Sequence, residues 1–306
     1  MNEPWQHRRE AGSGRMVRFI RWVALDVSTP LARALLLPIT AYFLVVRGQE
    51  RRASRRYLRR ALRREPGLLD IARHIHTFAT SILDRVAFLA GQSTARTVRV
   101  HGIECLRHHL EAGRGVLLFG SHFGSFEAVR QVGFSNREIE VRILMDYQRN
   151  PQVAHMLDAL NPKARASVID ARGDTTRVLL AIHETLARGG LVGLLADRGH
   201  DNEVMLAAEL LGSPVGLPLG PYRIAAVTRA PVVLIFGVLQ PDGTYDVYFE
   251  PFADRIDLRR QHRIEDAAIW ASRFAARLEA RIREAPFNWF NFYDYWRDEQ
   301  PPTPAP

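Results

Sequence analysis

The stretch Gly115-Val-Leu-Leu-Phe-Gly-Ser-His-Phe-Gly-Ser-Phe-Glu127 places a histidine at the exit of an apolar strand and a carboxylate five positions later. Gly120 and Gly124 let the backbone turn sharply there, so His122 is expected on a connecting loop and Glu127 in the first turn of the next helix. A carboxylate on one imidazole nitrogen fixes the tautomer and leaves the other nitrogen free to take a proton from a hydroxyl. The reading is therefore a general base, His122, with an orienter, Glu127. Spacing alone is weak: 11 histidines and 33 acidic residues in 306 positions give about one such pair by chance. The context adds weight, because α/β proteins place ligands at the carboxyl ends of strands.

The run Gly120-Ser-His-Phe-Gly-Ser-Phe-Glu127 resembles the His-x-x-x-x-Asp/Glu signature of the lysophospholipid acyltransferase superfamily, in the form used by the lipid A late acyltransferases, where Asn-His-Phe-Gly-Asn-Trp-Glu is usual. Ser121, Ser125 and Phe126 replace Asn, Asn and Trp. The likeness runs in order from about residue 15 to 297. Tyr147-Gln-Arg-Asn-Pro151 is similar to a Tyr-Arg-x-x-x-Asn-Pro segment, Leu191-Val-Gly-Leu-Leu-Ala-Asp197 to an apolar strand ending in Asp-Gln, and Leu211-Gly-Ser-Pro-Val-Gly-Leu-Pro-Leu-Gly-Pro221 to a Phe-x-Gly loop. Arg198 stands where Gln is common. The ending Asn288-Trp-Phe-Asn-Phe-Tyr-Asp-Tyr-Trp296 looks more like the branch encoded with aryl polyene and xanthomonadin-type pigment pathways.

The resemblance implies an O-acyltransferase at the cytoplasmic face of the bacterial inner membrane. Its donor would be an acyl carrier protein thioester, and its acceptor a hydroxyl of a membrane lipid or glycolipid, lipid A-like or of aryl polyene type. His122 would deprotonate that hydroxyl, and Glu127 would stabilise the imidazolium. Backbone amides at the Gly124 turn or the start of the helix could receive the oxyanion, with Arg149 as a second candidate, and Gly124 and Ser125 are expected to line the substrate site. Asp197 and Arg198 either bind the acceptor and complete the pocket or form an ordinary ion-paired loop. Neither Ser121 nor Ser125 lies in a Gly-x-Ser-x-Gly elbow, which favours direct transfer over an acyl-serine. No metal or cofactor is required, and no glycine-rich phosphate motif is present to hold a nucleotide.

Composition sets independent bounds. With 47% hydrophobic residues the chain can bury a large core. Its single cysteine, Cys105, rules out an intramolecular disulfide and reads as a helix filler, not a nucleophile. Residues 1–64 hold 15 arginines against four acids, a balance of +11, whereas the remainder nets −2. An anionic membrane surface suits that arm; nucleic acid does not, because no zinc-finger spacing or RNP-like strand accompanies the charge. The apolar run Ala34–Val46 is short for a bilayer span and is interrupted by Pro38, so an interfacial or re-entrant anchor is expected over a true span, whereas the resemblance implies an amino-terminal membrane helix.

The expected fold is α/β: a mixed, largely parallel sheet flanked by helices, with an amino-terminal helical membrane-associating region. The expected division is 1–92 for that basic region, 93–300 for the acyltransferase domain and 301–306 for a proline-rich tail. Leu68, Ile71, Ile75, Phe78, Ile82, Val86 and Leu89 mark one apolar helix face. Strands are expected at 97–101, 116–119, 141–145, 167–170, 191–196 and 232–239, alternating with helical segments. Pro241-Asp-Gly243 should turn the chain so that 245–250 returns antiparallel. The aromatic ending is expected to cap the core. Two other classes fit the same residues: a non-catalytic lipid-binding membrane scaffold, and a thioester or ester hydrolase using the same base on water.

Overall fold

A computed structural model describes residues 29–90, 97–130, 139–146, 166–199 and 203–296, together with Trp22, Val27 and Val132. Among these, the helices are α1 (Thr29–Val46), α2 (Gly48–Leu62), α3 (Leu68–Leu89), α4 (Glu104–Glu111), α5 (Phe126–Arg130), α6 (Thr175–Ala187), α7 (Gly220–Thr228) and α8 (Arg263–Glu284). The strands are β1 (Val98–His101), β2 (Val116–Gly120), β3 (Val141–Met145), β4 (Val168–Asp170), β5 (Leu191–Leu195), β6 (Met205–Leu210), β7 (Ser213–Pro218), β8 (Val232–Leu239) and β9 (Tyr245–Ala253). Seven strands form one sheet in the order β1-β9-β8-β2-β5-β3-β4. Strands β8, β2, β5, β3 and β4 run parallel; β9 returns antiparallel to β8 through the Pro241–Gly243 turn, and β1 pairs parallel with β9.

The central strands are apolar throughout because both faces of the sheet are covered. Alternation along β2 sends Leu117 and Phe119 into one core and Val116 and Leu118 into the other. Residues of β8 divide likewise: Leu234 and Phe236 join the first, Val233 and Ile235 the second. The first core is closed by α8 through Ala271, Phe274 and Leu278, and by Tyr57, Leu58, Ile71 and Ile75 of α2 and α3. The second packs Phe88, Leu106 and Ala128 against Tyr245 and Val247.

The amino-terminal helices differ from a simple basic anchor. Ala32 and Leu36 of α1 pack on Leu83 of α3, while Leu37, Tyr42, Val45 and Val46 stay exposed. No described helix is long and apolar enough to cross a membrane. Several of the basic residues are engaged within the chain: Arg56 pairs with Asp294, Arg59 with Glu65, Arg64 with Asp70, and the Arg60 guanidinium lies 4.7 Å from the Trp296 ring centre. Arg52, Arg55 and Arg63 remain exposed.

The segment Leu211–Pro221, matched by resemblance to a loop, is mostly regular structure. Leu211 and Gly212, at φ 55° and 75°, form the two-residue turn of the β6–β7 hairpin, and Gly220 and Pro221 begin α7. Cys105 lies on α4 with its thiol donating to the Gly102 carbonyl, and burial raises its pKa, as befits a filler.

Candidate functional site

The site is set by strand register. Adjacent parallel strands β2 and β5 end together, with Gly120 opposite Leu195 and the Ala196 amide donating to the Gly120 carbonyl. Two residues further along each chain stand His122 and Asp197. His122 Nδ1 lies 2.9 Å from Asp197 Oδ1, and the His122 backbone amide donates to Asp197 Oδ2 at 3.1 Å. With a carboxylate accepting, Nδ1 carries the proton and Nε2 presents its lone pair outward. The imidazole side chain is 38% exposed, whereas the Asp197 side chain is 0% exposed.

The charges are arranged for this tautomer. Burial lowers the pKa of His122, the Arg198 charge lowers it further, and Asp197 opposes by charge and hydrogen bond; Arg85 adds a smaller downward push. The balance keeps His122 below its ordinary value and therefore neutral near pH 7. For Asp197 burial acts upward, but the His122 interactions and the Arg198 charge outweigh it and hold the carboxyl well below the usual range.

The histidine segment is seated on the sheet by two glycines. Gly124 has φ +68°, and a Cβ there would lie 1.8 Å from the Gly237 carbonyl oxygen of β8. A Cβ on Gly237 would meet the Ser125 carbonyl oxygen at 2.2 Å. This close approach fixes where the loop rejoins β8.

Several sequence expectations need correction. The carboxylate on the His122 ring is Asp197, not Glu127. Glu127 does lie in the first turn of α5, but its Oε2 is 3.0 Å from Arg85 Nε of α3. The physical reason is that β2 and β5 are neighbours in the sheet, which delivers Asp197 to Nδ1 and leaves Glu127 to the facing arginine. Asp197 is too deeply buried to touch an acceptor and serves the ring instead. Arg198 pairs with Asp197, its Nε 3.6 Å from Oδ2, while Nη2 donates to the Phe290 carbonyl and the guanidinium lies 4.9 Å from the Tyr293 ring centre, so the two residues form the ion-paired arrangement that is the alternative to acceptor binding.

The amides of the Gly124 turn, one of the places expected to receive an oxyanion, are occupied. Gly124 N donates to the Asn288 carbonyl at 2.7 Å and Ser125 N to the Gly237 carbonyl at 2.7 Å. Ser125 Oγ accepts from Ala128 N and caps α5, so neither group of Ser125 is free for substrate. Arg149 lies outside the described residues.

Sequence reasoning missed how the aromatic ending enters the site. Residues 288–290 pair antiparallel with 122–124: the Phe290 amide donates to the His122 carbonyl at 2.9 Å, opposite the Gly124–Asn288 bond. Trp289 Nε1 donates to Asp197 Oδ2 at 3.2 Å, and the Tyr295 hydroxyl to the Asp197 carbonyl at 2.7 Å. Asn288 is clamped to Leu239 through both ends of its amide. His74, fully buried, bridges Ser54 Oγ and the Trp289 carbonyl, and burial pushes its pKa down to about 4. The tail does cap the core, as expected, with Trp289 and Trp296 buried. The available signal was its density of aromatics with polar tips, each of which needs a partner once buried.

A histidine held by a buried carboxylate at the carboxyl ends of parallel strands can take a proton from a bound hydroxyl or water. A family model for bacterial lipid A biosynthesis acyltransferases matches residues 71–298. The chain belongs to that family, and it is an acyltransferase acting on lipid-like acceptors. No curated protein matches it in sequence.

Proposed function

We propose that the protein is a membrane-associated O-acyltransferase that moves an acyl chain from an acyl carrier protein thioester to a hydroxyl of a lipid or glycolipid, with His122 as the base. The observation that carries this reading is the bond from His122 Nδ1 to buried Asp197, which leaves Nε2 as the ring's open basic atom. The acceptor O–H gives its proton to Nε2 as its oxygen attacks the thioester carbonyl carbon. Asp197 stabilises the imidazolium that forms. Collapse of the tetrahedral adduct breaks the C–S bond, and the imidazolium returns the proton to the departing thiolate. Arg149 is the candidate donor to the oxyanion. Burial of Ser121 and Ser125, and the capping bond of Ser125, favour direct transfer over an acyl-serine.

Exposed Leu37, Tyr42, Val45 and Val46 on α1, followed by exposed Arg52 and Arg55, support seating on an anionic membrane surface at the cytoplasmic face of the inner membrane. Within the acceptor class, a lipid A precursor, another glycolipid and a pigment head group of aryl polyene type differ in mass. Mass spectrometry of membrane lipids from cells with and without the protein identifies acyl group and recipient together. Wild-type transfer by folded His122→Ala protein rejects the base. Free fatty acid released without an acylated acceptor selects a hydrolase, and lipid binding with no donor consumption selects a scaffold.

A further inference from the structure

The Asp197 carboxylate is fully enclosed and receives three N–H donors. Two come from His122 itself, the ring Nδ1 on Oδ1 and the backbone amide on Oδ2; the third is the indole N–H of Trp289, on Oδ2 at 3.2 Å. The indole is not free to drift. Its ring centre lies 4.9 Å from Tyr295, 5.2 Å from Tyr57 and 5.8 Å from Trp296, and its carbonyl is held by His74 Nε2 at 3.0 Å. Hydrogen bonds on either side of it tie residues 288 and 290 to the histidine segment. A single aromatic residue thus reaches the carboxylate from a segment 92 positions downstream of Asp197.

We propose that Trp289 is a positioning residue for the base, its indole N–H fixing the Asp197 carboxylate and drawing charge toward Oδ2, so that it sets the orientation and basicity of His122. This rests on His122 acting as the base and adds the residue that tunes it. A donor on a carboxylate weakens that carboxylate's pull on a neighbouring imidazolium. Loss of the indole donor leaves more of the Asp197 charge for the ring, which favours the protonated imidazole and moves its titration to higher pH. The other groups bearing on the ring are Arg198 and Arg85, which push its pKa down, while the Tyr295 hydroxyl holds the Asp197 main chain. Arg198 Nε also faces Oδ2, but at 3.6 Å, beyond hydrogen-bond reach, whereas the indole N–H donates to that oxygen at 3.2 Å.

The test replaces Trp289 with 3-benzothienylalanine, which exchanges the ring N–H for sulfur at nearly constant size, alongside Trp289→Phe. Two readouts are followed on the full chain: the His122 ring titration by ¹⁵N NMR, and the pH dependence of kcat and KM with an acyl thioester donor. In the benzothienyl protein the His122 titration is expected to move upward by about half a pH unit or more. The acid limb of kcat should move with it, kcat above that limb should fall as the ring loses its fixed orientation, and KM should hold. A folded benzothienyl protein with an unmoved His122 titration overturns the proposal, whether or not turnover has fallen. If Trp289→Phe fails to fold, the benzothienyl protein decides. The base itself is judged separately by His122→Ala: full transfer by that variant removes the reading beneath the proposal, whereas its inactivity with an unmoved titration removes the proposal alone.

Discussion

Gly124 and Gly237 meet backbone to backbone, so closely that a methyl on Gly124 would lie 1.8 Å from the Gly237 carbonyl oxygen. The contact anchors the His122 loop to β8, and it leaves no room for any side chain. Gly124→Ala should destabilise the fold by about 1–3 kcal/mol from its positive φ alone, with the clash added. Chemical denaturation measures that loss. Transfer activity should fall further than stability, since the displaced loop carries His122, the proposed base.

Asp197→Asn should leave the fold largely intact and reduce kcat about 10²–10⁴-fold, because an amide neither holds the Nδ1–H tautomer nor stabilises imidazolium. Glu127 works through Arg85, so Glu127→Gln should cost less. A double-mutant cycle with Arg85→Gln measures the coupling: the double variant should be nearer to either single than to their product. Additive losses would show that Glu127 acts independently of Arg85.

Stability should depend on pH through His74. Its folded pKa of about 4 lies below the ordinary histidine value, so the unfolded chain takes up a proton first as pH falls. The stabilisation is fully present above about pH 6.5 and is lost as pH falls toward 4, on the order of 3 kcal/mol in all. The depressed pKa of His122 contributes in the same direction. Urea unfolding at pH 7.5 and pH 4.5 reads the slope. His74→Gln should be less stable at pH 7.5 but flatter between the two values.

How much of this was legible before the structure depends on whether a contact is local. Periodicity found the strands of the seven-stranded sheet and α3, because two-fold and 3.6-fold apolar patterns are properties of neighbouring residues. His122 was legible from its glycine-flanked turn. Its carboxylate was not: Glu127 is five residues away in sequence, whereas Asp197 is 75 away and adjacent only because β5 lies beside β2. The β6–β7 hairpin was missed because its turn uses Leu211 at φ 55°, a residue that carries no turn signal. The basic clusters were legible as charge but not as partners, since Arg56 finds Asp294 only after the tail folds back.

Membrane seating should be tested with surface substitutions, because removing residues 1–50 would also tear α1 from Leu83 of α3. Leu37→Glu with Val45→Glu should weaken binding to phosphatidylglycerol vesicles while circular dichroism is unchanged. Added salt should weaken what remains, through Arg52 and Arg55. Undiminished, salt-independent binding by this double variant would place the contact elsewhere.

The antiparallel pairing of residues 288–290 with the His122 segment has a consequence during synthesis. A ribosome that has made Asp197 has already delivered both members of the His122–Asp197 pair, yet the segment that braces them is still to be translated. Until residue 289 leaves the exit tunnel, the nascent chain holds an unfinished centre, so acyl-transfer competence arrives late and chains halted earlier should be silent toward the lipids around them.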